Sequence, residues 1–345
     1  MRAAAPAAAW AVRVAAALAV PPAARAAPVA DGLEGLARPV VEGRWLRPAA
    51  GERAIAAWGH AEGLRVGLHP LPGPRGMLRV YAPYLSQPET RMINFIAIEP
   101  TVVGKRRGLS ELEPSRLDGV PGKRLWSGDD AAGLADRRAA RPARGVVRTI
   151  GGIECLQVFI GVERFDNGAR PLVRLTFRAD RPHAVGLATF AAPGSAAMTS
   201  CVLTATMGNY ARLRRLALAD GVVTAAQLWP GFTGDGFARR VAFPLGRLPR
   251  LPDGSVLVSA VSDEADPARA DAPKAWRYVG RPAVQAWRCE RPEPGLEAAV
   301  NARARYWRRE EPIPGGPAIE NFELAWPFRD GQEVWFVVEP LEAGR

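Results

Sequence analysis

Three short segments carry side chains suited to acid–base chemistry or to gripping a charged sugar. Residues 91–113 contain the run MINFIAIE, then Lys105-Arg106-Arg107-Gly108 and Ser110-Glu111-Leu112-Glu113. On a strand, Asn94 shares a face with Ile96 and Ile98, while Glu99 shares the other with Phe95. A polar amide on an apolar face needs a partner, so Asn94 is either a satisfied structural group or a ligand donor. Arg107 and Glu111 either hold a charged sugar or pair with their neighbours across a turn.

Residues 204–215 read TATMGNYARLRR. If the preceding strand continues, Tyr210, Arg212 and Arg214 project from one face by the two-residue period, with Asn209 beside them. Positive charge near a phenol favours its ionised form, which suits a proton-transfer role. Cleavage of a uronate by β-elimination needs a base for the C5 proton and a group that neutralises the carboxylate. Tyr210 fits the first task, Arg212 and Asn94 the second, and His183 can assist. The alternative is a tyrosine packed at a strand edge with solvated arginines.

Residues 318–328 read AIENFELAWPF. Here Asn321 and Glu323 share one strand face, while Glu320, Phe322 and Leu324 share the other. An amide beside a carboxylate suits hydroxyl recognition or general acid–base work, and a hydrolase would use Glu111 or Glu323. Trp126 and Trp229 precede turn residues, where an exposed ring can stack on a pyranose; most tryptophans instead fill cores. No nucleotide-binding loop or nucleophile elbow occurs. None of the three histidines pairs with another at ligand spacing, so neither a metal nor another cofactor is implied.

The elements that must position these groups are strands. Short apolar runs separated by turn residues dominate from residue 38 onward, among them 53–60, 64–71, 77–84, 92–99, 153–163 and 171–178. Asp166-Asn167-Gly168 marks a tight turn between the last two, since Asn-Gly accepts positive φ. Val173, Leu175 and Phe177 alternate with Arg174, Thr176 and Arg178, the pattern of a strand buried on one side. Runs at 183–191, 199–207, 222–229, 255–261, 318–324 and 333–339 continue it. A helix is expected over 296–307, and 210–218 fits helix or strand. The resulting expectation is an all-β chain, a large antiparallel β-sandwich with few short helices.

Residues 1–26 have the form of a secretory signal: Arg2, an Ala/Val/Leu stretch, then Ala24-Arg25-Ala26 as a small-x-small cleavage site. Arg13 interrupts the apolar run, against a membrane span of about 20 residues. The mature part, 27–345, reads as one β-sandwich domain with loop insertions near 129–144 and 263–274. The full chain carries +11, and loss of Arg2, Arg13 and Arg25 lowers this by three. Only Lys105, Lys123 and Lys274 are lysines, so the excess is arginine in an Ala-, Gly- and Pro-rich composition. Periplasmic or secreted material rarely meets nucleic acid, which leaves an acidic glycan or an anionic surface as partner. Cys155, Cys201 and Cys289 form no redox or metal motif; Cys155 and Cys201 are either bridged or buried thiols.

The many-stranded exported architecture resembles the galactose mutarotase-like supersandwich proteins and the β-sandwich polysaccharide lyases. In mutarotases a mid-chain histidine and a glutamate on a strand near the C-terminus transfer protons. His183 and Glu320 or Glu323 occur here in that order. The resemblance implies a carbohydrate-active, supersandwich-like protein. The residue reading favours lyase cleavage of an acidic polysaccharide, with glycoside hydrolysis or non-catalytic glycan binding as the alternatives.

Overall fold

The computed structural model describes residues 33–89, 91–135, 141–264 and 271–341. The expected signal segment 1–26 lies outside these residues, as do 136–140 and 265–270 within the two expected loop insertions. Alternation of apolar side chains sets the strands, and the strands form two ten-stranded antiparallel sheets among the described residues. The chain is thus an antiparallel β-sandwich. The one α-helix among the described residues is the four-residue Ala225–Leu228, capped by Thr224, whose side chain accepts from the Gln227 N–H.

The first sheet runs from Val40–Glu42 through Trp45–Arg47, Ala57–His60, Arg65–Gly67, Met77–Tyr81 and Asn94–Val102 to Met198–Ala205, Ala318–Ala325, Glu297–Arg303 and Val241–Pro244. Its centre joins strands far apart in sequence: Met198–Ala205 lies between Asn94–Val102 and Ala318–Ala325. The second sheet includes Ile153–Val162, Pro171–Arg178, Ala184–Ala191, Gln332–Pro340, Ala283–Cys289 and Val256–Ser262. The hairpin expected at Asp166-Asn167-Gly168 forms, with Gly168 at φ +89°.

One hydrophobic core fills the space between the sheets. Ile96, Ile98, Leu203, Phe322 and Leu324 from the first meet Val158, Leu175, Leu187, Trp287 and Phe336 from the second. Polar contacts cross it as well. The Trp287 indole donates to the Phe322 carbonyl at 2.9 Å. Asn94 Nδ2 donates to Gln285 Oε1 at 2.6 Å, while Asn94 Oδ1 accepts from the Phe95 and Met207 N–H groups. Cys155, Cys201 and Cys289 are buried free thiols, so no bridge joins the first two.

Two local expectations change. The helix expected over 296–307 is instead the strand Glu297–Arg303, because it is paired on both sides and sends Ala298, Val300 and Ala302 into the core. The stretch 208–212 is a turn, and the strand begins only at Leu213. Gly208 is packed so closely that a Cβ would lie 2.6 Å from the Ile319 carbonyl oxygen, and Arg212 takes φ +50°. The chain therefore cannot run straight through Tyr210.

Candidate functional site

The outward face of the first sheet carries a buried group of acids under two arginines. Ile96 and Ile98 pack between the sheets, so by alternation Phe95, Ala97 and Glu99 lie on the sheet's other face, where they too are buried. Ala97 lies opposite Thr204, and Thr204 opposite Glu323, which in turn lies opposite Ala299. Three adjacent strands thus bring Glu99, Thr204 and Glu323 to one face, with Ala97, Val202 and Ala299 opposite them.

Two arginines reach over that floor from loops. Arg107 Nη2 contacts Glu99 Oε2 and lies 2.7 Å from Glu323 Oε2. Arg240 Nε donates to Glu323 Oε1 at 2.6 Å, and its Nη2 to Glu297 at 2.8 Å. Thr204 Oγ1 donates to Glu323 Oε2 at 3.0 Å. The arginines cover the acids: 30% of the Arg107 side chain and 40% of Arg240 is exposed, against 7% for Glu99 and 6% for Glu323.

Both arginines are held from behind. The turn residue Asn167 donates from Nδ2 to the carbonyls of Pro100 and Arg106, which fixes the loop leading into Arg107. Trp229 donates its indole N–H to the Arg239 carbonyl at 2.7 Å, next to Arg240.

The environment splits the two carboxyls. Burial pushes Glu99 well above the usual carboxylate range, and neighbouring Glu111 and Glu323 add to this against the pull of Arg107. Burial also acts on Glu323, but Arg107 and Arg240 outweigh it and hold that carboxyl low. Glu99 therefore keeps its proton where Glu323 has lost one. Glu111 is raised as well, chiefly by burial.

Of the expected site residues, Glu323, Arg107 and Glu111 come together here, and Asn321 shares their strand face, with its N–H bonded to Asn301 Oδ1. Asn94 faces the core between the sheets. Trp229 is buried and offers no stacking surface. Tyr210 packs against Tyr278, with the Arg91 guanidinium over its ring, and burial pushes its hydroxyl up to about 12. Arg212 does not lie along a strand with it; it pairs with Glu264 and Asp271. Asn209 is fully buried in the same turn. His183 stacks on Tyr84 at 4.1 Å, and burial, then Arg281, lowers its pKa. Tyr210 and His183 are thus not gathered with Glu323.

Sequence reasoning put Glu99 on the strand face opposite Asn94 without assigning it a role, and passed over Thr204, Arg240 and Glu297. No groups of three or more side chains able to hold a metal ion occur among the described residues.

No family model matches the chain, and no curated protein matches it. Two solved structures resemble its course. One, a crystal structure of HI1317, has 10% identity and a TM-score of 0.30, over 87% of this chain and 97% of that one. The other, a candidate mutarotase (YeaD) from Salmonella typhimurium, has 10% identity and a TM-score of 0.25, over 84% and 94%. Both likenesses are remote.

Proposed function

We propose that the chain is a carbohydrate-active enzyme of the paired-carboxylate type, with Glu99 as proton donor and Glu323 as proton acceptor. One observation carries this reading: two buried carboxyls pushed in opposite directions, Glu99 up and Glu323 down, share a single guanidinium nitrogen beneath two part-exposed arginines. Pairs of acids pushed apart in this way are the usual means of running acid and base steps at one pH. A hydroxylated ring approaching from solvent meets the part-exposed Arg107 and Arg240 side chains first, and a guanidinium can donate to sugar oxygens. Hydrolysis of a glycosidic bond uses both carboxyls, one to protonate the leaving oxygen and one to assist attack.

A second reading is β-elimination from an acidic polysaccharide. Arg107 favours it, because a guanidinium can neutralise a uronate carboxylate. Tyr210 and His183 lie elsewhere, so Glu323 would be the base. Export belongs to the same proposal, supported by the signal-like residues 1–26.

The deciding experiment incubates the protein with a glycan panel, recording reducing ends and absorbance near 235 nm, about where unsaturated uronates absorb. New reducing ends without that absorbance support hydrolysis; with it, elimination. Binding with neither product would leave a glycan-binding protein and overturn the enzyme reading.

A further inference from the structure

Beside the carboxylate pair, the same outward face holds a cavity of about 260 Å³ lined by His69, Arg75, Gly76, Arg79, Lys123 and Arg124. Arg79 lies opposite Phe95, which shares the outward face with Glu99. Ser110 forms the wall between the two places. Its carbonyl accepts from the Lys123 N–H at 2.7 Å and abuts Gly76, while the next residue is Glu111 of the carboxyl cluster. No carboxylate lines the cavity among the described residues.

Its cations are unevenly balanced. Asp118 pairs with Arg75 at 3.0 Å and with Arg124 at 2.8 Å, and Lys123 lies 3.1 Å from Glu113. Arg79 is fully buried, yet it donates only to main-chain carbonyls, those of Leu71, Pro72, Gly73, Pro74 and Met77. Its charge meets no carboxylate among the described residues. Burying a cation without a counter-charge is costly, and an anion in the cavity would supply one. Arg75 Nη2 is also buried with no hydrogen-bond partner. The walls are set in advance: a Cβ at Gly76 would lie 1.8 Å from the Ser110 carbonyl oxygen, and one at Gly122 2.7 Å from Arg75 Cβ.

We infer that this cavity is an oxyanion subsite that receives a carboxylate or sulfate carried on the glycan bound at Glu99 and Glu323. The inference rests on the carbohydrate reading of that pair, and it makes the substrate an acidic glycan whose charge is read apart from the bond that reacts. The cluster at Glu323 balances its arginines with its own acids, so the substrate's charge is met in the basic cavity.

Isothermal titration at low salt with glucuronate, glucose and inorganic sulfate tests it without reference to turnover. Glucuronate should bind at least about tenfold more tightly than glucose, the scale of one charge-assisted hydrogen bond. Arg75→Gln should weaken glucuronate by about tenfold. Asp118→Asn should strengthen it, because Arg75 and Arg124 lose their internal counter-ion. That opposite sign separates anion binding from general damage to the fold. Equal binding of glucose and glucuronate, or no change in Asp118→Asn, would overturn the subsite. Sulfate binding as tightly as glucuronate would overturn its link to a glycan. A protein that binds glucuronate as described yet turns over no glycan would retire the enzyme reading and leave the subsite standing.

Discussion

Glu99 and Glu323 meet at one nitrogen, Nη2 of Arg107, although their strands are separated by a third. Neighbouring strands lie about 4.8 Å apart, so the two backbones are roughly 10 Å from each other, and Arg107 spans them together with Thr204 on the strand between. Removing one member of such a group leaves the others buried without their partners, whereas a group that is already neutral can be replaced cheaply.

The two glutamates should therefore respond differently to the same change. Glu323→Gln removes the charge that Arg107 and Arg240 both use, and should cost about 2–4 kcal/mol at pH 7. Its folded pKa is lowered, so this contribution is present above the unfolded carboxyl pKa and fades as pH falls through the folded value. Glu99→Gln should be neutral or mildly stabilising at pH 7 and above, because the raised carboxyl loses stability as pH climbs from the unfolded pKa toward the folded one. Both variants should lose activity by about 10²–10⁴-fold. Urea unfolding at pH 5 and pH 8 beside the glycan assay checks both; equal stability losses would contradict the split.

Glu320 gives a sharper pH test. Burial pushes it up to about 8, against the pull of Arg303 and the Asn209 main chain. The folded protein thus holds a proton that the unfolded chain releases above the ordinary carboxylate range. Stability should fall between about pH 4.5 and pH 8, by on the order of 5 kcal/mol in full. Glu320→Gln should flatten that fall and raise the melting temperature at pH 8 while changing it little at pH 4.5. An unchanged pH profile would mean that Glu320 titrates normally.

How much of the fold and site is legible in the sequence depends on the range of the contact. The period-two pattern set Val173, Leu175 and Phe177 inward and put Asn321 with Glu323, because alternation is a local property. It broke at Glu320, where Val300 lies opposite Phe322 but Ala302 opposite Ile319, leaving an extra residue on one strand. The meeting of Arg107 with Glu323, 216 positions apart, depends on which strands are neighbours, and no local pattern encodes that. Arg240 had no signal at all, since it sits in a loop whose position is fixed by Trp229. Gly208-Asn209 was a turn signal that outweighed the apparent continuity of the strand before Tyr210.

Asn94 is placed to hold the sheets together. Its amide donates to Gln285 and accepts from Phe95 and Met207, all away from solvent. Asn94→Ala strands three buried partners, at about 1–3 kcal/mol for each group left unsatisfied and partly relieved by relaxation. A loss of about 3 kcal/mol with KM unchanged in the folded fraction is expected from denaturant titration and kinetics. A normal stability with a raised KM would instead make Asn94 a substrate contact.

Tyr210 separates the carboxylate reading from a tyrosine-based elimination. Its ring is buried against Tyr278 and under the Arg91 guanidinium, and its hydroxyl ionises only near pH 12 because burial disfavours the phenolate. Arg212, the residue that would have lowered that value, is engaged with Glu264 and Asp271. A phenol so placed is a poor base at neutral pH, and it lies in the turn after Met198–Ala205, apart from the face where Glu323 sits. Tyr210→Phe removes only the hydroxyl and keeps the ring contacts, so stability should move by no more than about 1 kcal/mol. Activity on whichever glycan the panel identifies should stay within about twofold of the unaltered protein, far short of the 10²–10⁴-fold expected for loss of an acid–base group. A deep loss in Tyr210→Phe, with folding intact and Glu323→Gln still active, would move the chemistry to the tyrosine and away from the carboxylate pair.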